Sequence, residues 1–234
     1  MAGLGQHLHG IQHIGITVEN LPKSLEFYLE VLGGQLVVGE TNLTGDTIQN
    51  TLFQAEELAG DATIPNLRDG IPGLDVRFIS FGNAVVELIH FRDRQLSPEA
   101  PSILTRSPSH IGSIGRKHLS FEVKETIDLT EFAHELEAEC ARRQIPNVVC
   151  NRVVRVRTPE ERAALPRQAN AFKFWDEAGQ PAQDWGDFEG WSLFYCKGPN
   201  DEQLEFNQVT RNVKTLFNQG RDTYNQVHRT QFTA

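Results

Sequence analysis

Apolar residues alternate with polar or small ones in His13-Ile14-Gly15-Ile16-Thr17-Val18-Glu19, and again in His118-Leu119-Ser120-Phe121-Glu122-Val123-Lys124. A period of two marks a half-buried strand. It puts Ile14, Ile16 and Val18, and likewise Leu119, Phe121 and Val123, on a core face with both histidines opposite. Each strand is followed by apolar positions at helical spacing: Leu21, Leu25, Tyr28, Leu29 and Leu32 in the first copy, Leu129, Phe132, Ala133, Leu136 and Cys140 in the second. Pro22 lies near the start of the first helix and Gly33-Gly34 marks its stop, while Ile145-Pro146 ends the second.

Three more strands are predicted in each copy, at residues 34–40, 74–81 and 84–91 and at residues 148–157, 192–197 and 203–208. Gly82-Asn83 and Gly198-Pro199-Asn200-Asp201 supply turn chemistry between the last two strands of each. The chain therefore reads as one strand-helix-three-strand unit used twice, an α+β fold. The modules are expected at residues 9–91 and 115–209. Residues 92–114, with Pro98, Pro101, Pro108 and many serines, read as a linker. Residues 210–234, rich in Asn and Gln, read as a partly helical tail. Two stretches have no counterpart in the other copy: residues 41–73, with a short helix expected at 48–58, and an insertion at residues 158–191.

Charge and composition narrow the partners. With 31 acidic against 22 basic residues the formal charge is −9, so no chain-wide attraction to nucleic acid or anionic lipid is expected. No apolar run approaches the ~20 residues needed to span a bilayer. No basic segment followed by an apolar stretch opens the sequence, and the expected location is cytoplasmic. Cys140, Cys150 and Cys196 form no CxxC pair, which predicts buried reduced thiols.

Candidate chemistry lies on the strand faces opposite the core. Glu87 in Val85-Val86-Glu87-Leu88-Ile89 and Glu205 in Gln203-Leu204-Glu205-Phe206-Asn207 hold matching places in the last strand of each copy. A carboxylate set among apolar residues costs several kcal/mol if buried without a cation or strong donors. Duplicated units pack about a pseudo-twofold axis, which would turn His13, Glu87, His118 and Glu205 toward one centre. Two imidazoles and two carboxylates suit one divalent first-row ion, Zn, Ni, Co, Mn or Fe, over an oxygen-only Mg or Ca site. A single strand histidine is usually a hydrogen-bonded structural residue, and a strand-end glutamate a solvated one. Metal binding is inferred because all four match within a repeat detected on other grounds.

Other motifs carry less. His134-Glu135-Leu136-Glu137-Ala138 starts like a metalloprotease helix but has Ala138 where the second histidine belongs. No GxGxxG, phosphate-loop or GxSxG element is present. His7 and His9 precede the first strand and read as a flexible tail. Arg152, Arg155 and Arg157 fit either a substrate anion or the protection of an edge strand. Trp175, Trp185 and Trp191, beside Asp176, Asp184, Asp187 and Phe188, either cap a substrate cavity or form the insertion's own small core.

The His13 strand, the Ser24-Leu25-Glu26-Phe27-Tyr28 and Val31-Leu32-Gly33-Gly34 helix, the Val85–Ile89 strand, the His118 strand and the Gln203-Leu204-Glu205-Phe206 ending together resemble the vicinal oxygen chelate superfamily. Glyoxalase I, methylmalonyl-CoA epimerase, fosfomycin-resistance proteins and extradiol dioxygenases belong to it. The resemblance implies two paired βαβββ modules whose mixed sheets form a cup around one divalent metal, with His13, Glu87, His118 and Glu205 at the four ligand positions of the glyoxalase I pattern. It implies a metal-dependent lyase or isomerase that acts on a small oxygenated substrate through a metal-stabilised enediolate, Glu205 or Glu87 carrying the proton. One alternative is an Fe(II)-dependent extradiol-type dioxygenase using His13, His118 and Glu205. Another is a metal-free binding protein that sequesters a ligand. A homodimer is expected, because edge strands of paired sheets need covering.

Overall fold

A computed structural model describes residues 7–8, 10–68, 72–93, 103–104, 117–164 and 188–233. Two compact units divide the chain: Ile11–Pro108, and Ser109–Ala234 together with Met1–Gly10. In the first unit, β1 (His13–Thr17), α1 (Leu21–Leu25), β2 (Gln35–Leu43), α2 (Asp46–Leu58), β3 (Pro72–Ser80) and β4 (Val85–Asp93) follow in order. The second runs β5 (His118–Glu122), α3 (Leu129–Arg142), β6 (Val154–Arg155), α4 (Pro159–Ala163), β7 (Trp191–Lys197), β8 (Gln203–Val209) and α5 (Arg211–His228). The sheet orders are β1-β4-β3-β2 and β5-β8-β7-β6. In each the first strand is parallel to the last and every other neighbour is antiparallel. The fold is therefore α+β, one βαβββ topology used twice, as the repeat predicts. No helix among the described residues is long and apolar enough to cross a membrane.

Asn20 caps α1 by accepting from the Lys23 N–H at 3.1 Å, with Pro22 in the first turn. From Glu26 to Val31 the helix widens to a π-turn, and the Leu32 N–H donates to the Phe27 carbonyl five residues back. The extra residue per turn rotates the stripe that faces the sheet. Leu21, Ser24, Phe27 and Tyr28 are buried there, whereas Leu25, Leu29 and Leu32, expected in that stripe, are only half-buried. Gly33, at φ +76°, reverses the chain, and the Gly34 N–H closes on the Tyr28 carbonyl. A Cβ on Gly34 would stand 2.5 Å from Ile79 Cγ2 and 2.8 Å from the Tyr28 carbonyl oxygen. Gly34→Ala is thus expected to lose about 1–3 kcal/mol by overpacking, read as an earlier denaturation midpoint with an unchanged m-value.

In the second unit Asp128 caps α3 by accepting from the Thr130 and Glu131 N–H groups. The helix buries Leu129, Ala133, Leu136 and Cys140, and Phe132 packs its ring on Phe194 and Phe206. The strand expected at residues 148–157 is largely replaced by irregular chain. Only Val154–Arg155 pairs as a strand, besides a bridge from Cys150 to Cys196. Asn147 turns the chain at φ +67°, the Asn151 N–H and the Val149 carbonyl bond to β7 on either side of the bridge, and the Cys150 N–H, pointing away from β7, donates to the Glu137 side chain on α3. Cys140, Cys150 and Cys196 are buried free thiols.

The linker boundary drawn at residue 92 falls inside β4, which runs to Asp93. Arg92 is buried there against Asp75, with its Nε donating to Asp75 Oδ2 at 2.8 Å. Most of residues 92–114 lies outside the described part, but Leu104 packs on a cluster formed by Leu67, Leu74 and Phe91. Ile48 and Phe53 of α2 join that cluster, so the first unit's unmatched segment covers one end of the sheet face that carries His13.

Candidate metal centre

Strand register places each histidine beside its acid. Gly15 of β1 is the partner of Glu87 on β4, and His13, two residues earlier, shares their face. His13 Nε2 lies 3.4 Å from Glu87 Oε2, and the imidazole stands edge-on to Phe78 of β3, 5.4 Å between ring centres. Its Nδ1 contacts Gln12 Oε1. A Cβ on Gly15 would come within 3.1 Å of Glu87 Oε2, so the missing side chain leaves that carboxylate room.

The second unit repeats the arrangement. Ser120 of β5 is the partner of Glu205 on β8, and Tyr195 of β7 is its partner on the other side. His118 Nε2 lies 3.0 Å from Glu205 Oε2, and its ring stands edge-on to Tyr195 at 5.5 Å. The pairs differ in burial: 17% of the Glu87 side chain is exposed and only 5% of Glu205. Glu205 Oε1 is buried without a hydrogen-bond partner among the described residues. An orphaned buried acceptor costs about 1–3 kcal/mol, more for a charged one, and a cation beside it would remove that cost. The donor set, imidazole nitrogen and carboxylate oxygen with no thiolate, fits a divalent first-row metal.

The structure joins His13 to Glu87 and His118 to Glu205. Within either unit no three His, Cys, Asp or Glu side chains gather as a metal site among the described residues. Phe78 and Tyr195 are site residues not singled out from the sequence. The signal was present: each is the aromatic residue directly across a hairpin from the candidate acid. Burial, with the Glu205 charge beside it, pushes the Tyr195 phenol above its ordinary pKa.

The other candidates sit elsewhere. Arg155 donates to Thr130 Oγ1 and lies 3.5 Å from Asp128 Oδ2, tying β6 to the start of α3. It is neither a free anion clamp nor a bare edge charge. His134 is exposed on α3 and His7 is exposed ahead of β1. Trp191 opens β7 and packs on Phe188 and Phe217. His9, Trp175, Trp185, Asp176, Asp184 and Asp187 lie outside the described residues.

Two βαβββ units, each with a histidine–glutamate pair on one face of its sheet, define the class. The model of the Glyoxalase/Bleomycin resistance protein/Dioxygenase superfamily matches residues 10–148, more than half of the chain, and the protein belongs to that superfamily. Similar solved structures include a glyoxalase family protein from Enterococcus faecalis, 14% identical, covering 86% of this chain and 99% of that one with a TM-score of 0.43. The Leishmania major glyoxalase I, described as trypanothione-dependent, is 15% identical over 94% and 97% of the two chains, with a TM-score of 0.40. The fosfomycin resistance protein FosX of Listeria monocytogenes, solved with Mn(II) and sulfate, is 10% identical over 89% and 98%, with a TM-score of 0.41. No curated protein matches the sequence. Membership follows from the family match alone.

Proposed function

We infer that the protein is a metal-dependent lyase or isomerase acting on a small substrate with adjacent oxygen atoms. The observation that carries this reading is the Glu205 carboxylate, buried beside His118 with Oε1 unpartnered among the described residues. His13, Glu87, His118 and Glu205 are the proposed ligands of one divalent ion, Zn, Ni, Co, Mn or Fe. When bound, such an ion supplies Lewis acidity for the negative charge that develops on the substrate oxygens.

The chain's own groups do the rest. The histidines are ligands only. Phe78 and Tyr195 stand edge-on to the imidazoles and limit their rotation, which keeps Nε2 of each toward its carboxylate. A carboxylate beside the reacting carbon takes the proton and returns it, and Glu87, the more exposed acid, is the one that can do so while Glu205 stays fixed.

Glu87→Gln tests this division. The amide keeps an oxygen donor but cannot carry a proton, so metal content should stay near that of the wild type. Turnover of a 2-oxoaldehyde and diol panel should fall by roughly 100-fold or more, the contribution of a general base. Unchanged turnover would remove Glu87 from that role. Oxygen consumption matching turnover would replace the lyase or isomerase reading with oxidative cleavage.

A further inference from the structure

The two units end their candidate-site faces differently. In the first, Leu74 and Phe91 are register partners at one end of the sheet face that carries Glu87. That end is filled by Leu67 and by Ile48 and Phe53 of α2. The equivalent partners in the second unit are Trp191 and Val209. There α5 runs beside the sheet, and an open groove of about 530 Å³ lies between the start of β7 and the helix, with Phe188, Leu216 and Phe217 partly exposed along it. Phe188, Trp191, Val213, Leu216 and Phe217 make its apolar walls. A volume of this size is in the range of small-molecule sites.

Three further observations specify an occupant. Gly220 lines the groove from the middle of α5, where glycine weakens a helix. A Cβ there would meet nothing within 4 Å, so packing does not demand the glycine and its effect is to widen the groove. The Trp191 indole Nε1, in the wall, is buried with no acceptor among the described residues. Arg221, also in the wall, is ion-paired to Asp222 through Nε and Nη2, and neither of these bonds uses Nη1.

We propose that the groove between β7 and α5 binds a small aromatic or alkyl carboxylate, its apolar body against Trp191, Leu216 and Phe217 and its carboxylate at Arg221. The site needs neither histidine–glutamate pair, so it stands or falls independently of the metal reading.

The test is calorimetric titration of sodium decanoate and of 1-decanol into the full-length protein, with His118→Ala as a parallel sample. Decanoate should bind one per chain, tighter than the alcohol, and equally to His118→Ala. Gly220→Leu should abolish binding without lowering the melting temperature, because leucine fills the groove and favours the helix. Arg221→Gln should weaken decanoate roughly tenfold, the loss of one charge-assisted hydrogen bond, and leave decanol unchanged. Failure of decanoate to bind, or wild-type binding by Gly220→Leu, would overturn the proposal. Sedimentation showing a dimer that decanoate dissociates would assign the groove to a second copy of the chain and overturn it as well.

Discussion

Asp75→Ala should be among the most destabilising single substitutions in the first unit, at about 3–5 kcal/mol. Its side chain is almost fully buried and accepts from Arg92 Nε at 2.8 Å through Oδ2 and from the Asn42 N–H at 2.7 Å through Oδ1. Asn42 is held at φ +59°, in the left-handed region, and that bond is part of what holds it there. Removal of the carboxylate leaves a guanidinium buried without its counter-charge and a backbone donor without an acceptor. Thermal melting should show a drop of at least ~10 °C. The double variant Asp75→Leu, Arg92→Met should recover much of the loss, since apolar residues of similar volume often replace a buried pair at little cost. A melting temperature within a degree or two of wild type for Asp75→Ala would mean that water reaches the pair.

His118→Ala and Glu205→Ala should each weaken metal binding by more than about a hundredfold, the upper end of what loss of an outer-shell partner costs, and abolish turnover with it. Both should stay folded. Their side chains project from the face opposite Leu119, Leu204 and Phe206, which are buried in the core. Stability has a sharper signature. In metal-free protein the Glu205 carboxylate carries a buried oxygen unpartnered among the described residues, so metal-free Glu205→Gln should melt no lower than metal-free wild type. Added metal should raise the wild-type melting temperature and leave that of Glu205→Ala, which has no donor atom there, in place, as expected when a ligand binds only the folded state.

Much of the fold was legible because it was written twice. The His13 and His118 strands, the helices after them and the acid in the last strand of each unit occur where the period-two and helical patterns put them. What was lost has identifiable causes. Residues 148–157 look like a strand in composition, but their register against β7 slips by one residue between the Cys150–Cys196 bridge and the Val154–Leu193 pair, an interruption that local periodicity does not contain. Arg92 reads as the start of a polar linker and is instead a buried strand residue, because its partner Asp75 lies on a neighbouring strand. The helix stripe is rotated by a π-turn that no spacing rule anticipates. The His13–Glu87 and His118–Glu205 pairs that the structure brings together involve residues named from the repeat, whereas Phe78 and Tyr195 become visible only through the register that sets each across from its acid.

The most direct measurement is elemental analysis of the full-length protein purified without chelator, beside Glu205→Ala prepared identically. Close to one divalent first-row ion per wild-type chain, and little in Glu205→Ala, is the expected result. Equal metal content in the two proteins, or wild-type protein that takes up no ion even when Zn, Ni, Co, Mn and Fe(II) are each supplied, would contradict the assignment of a metal centre to these residues.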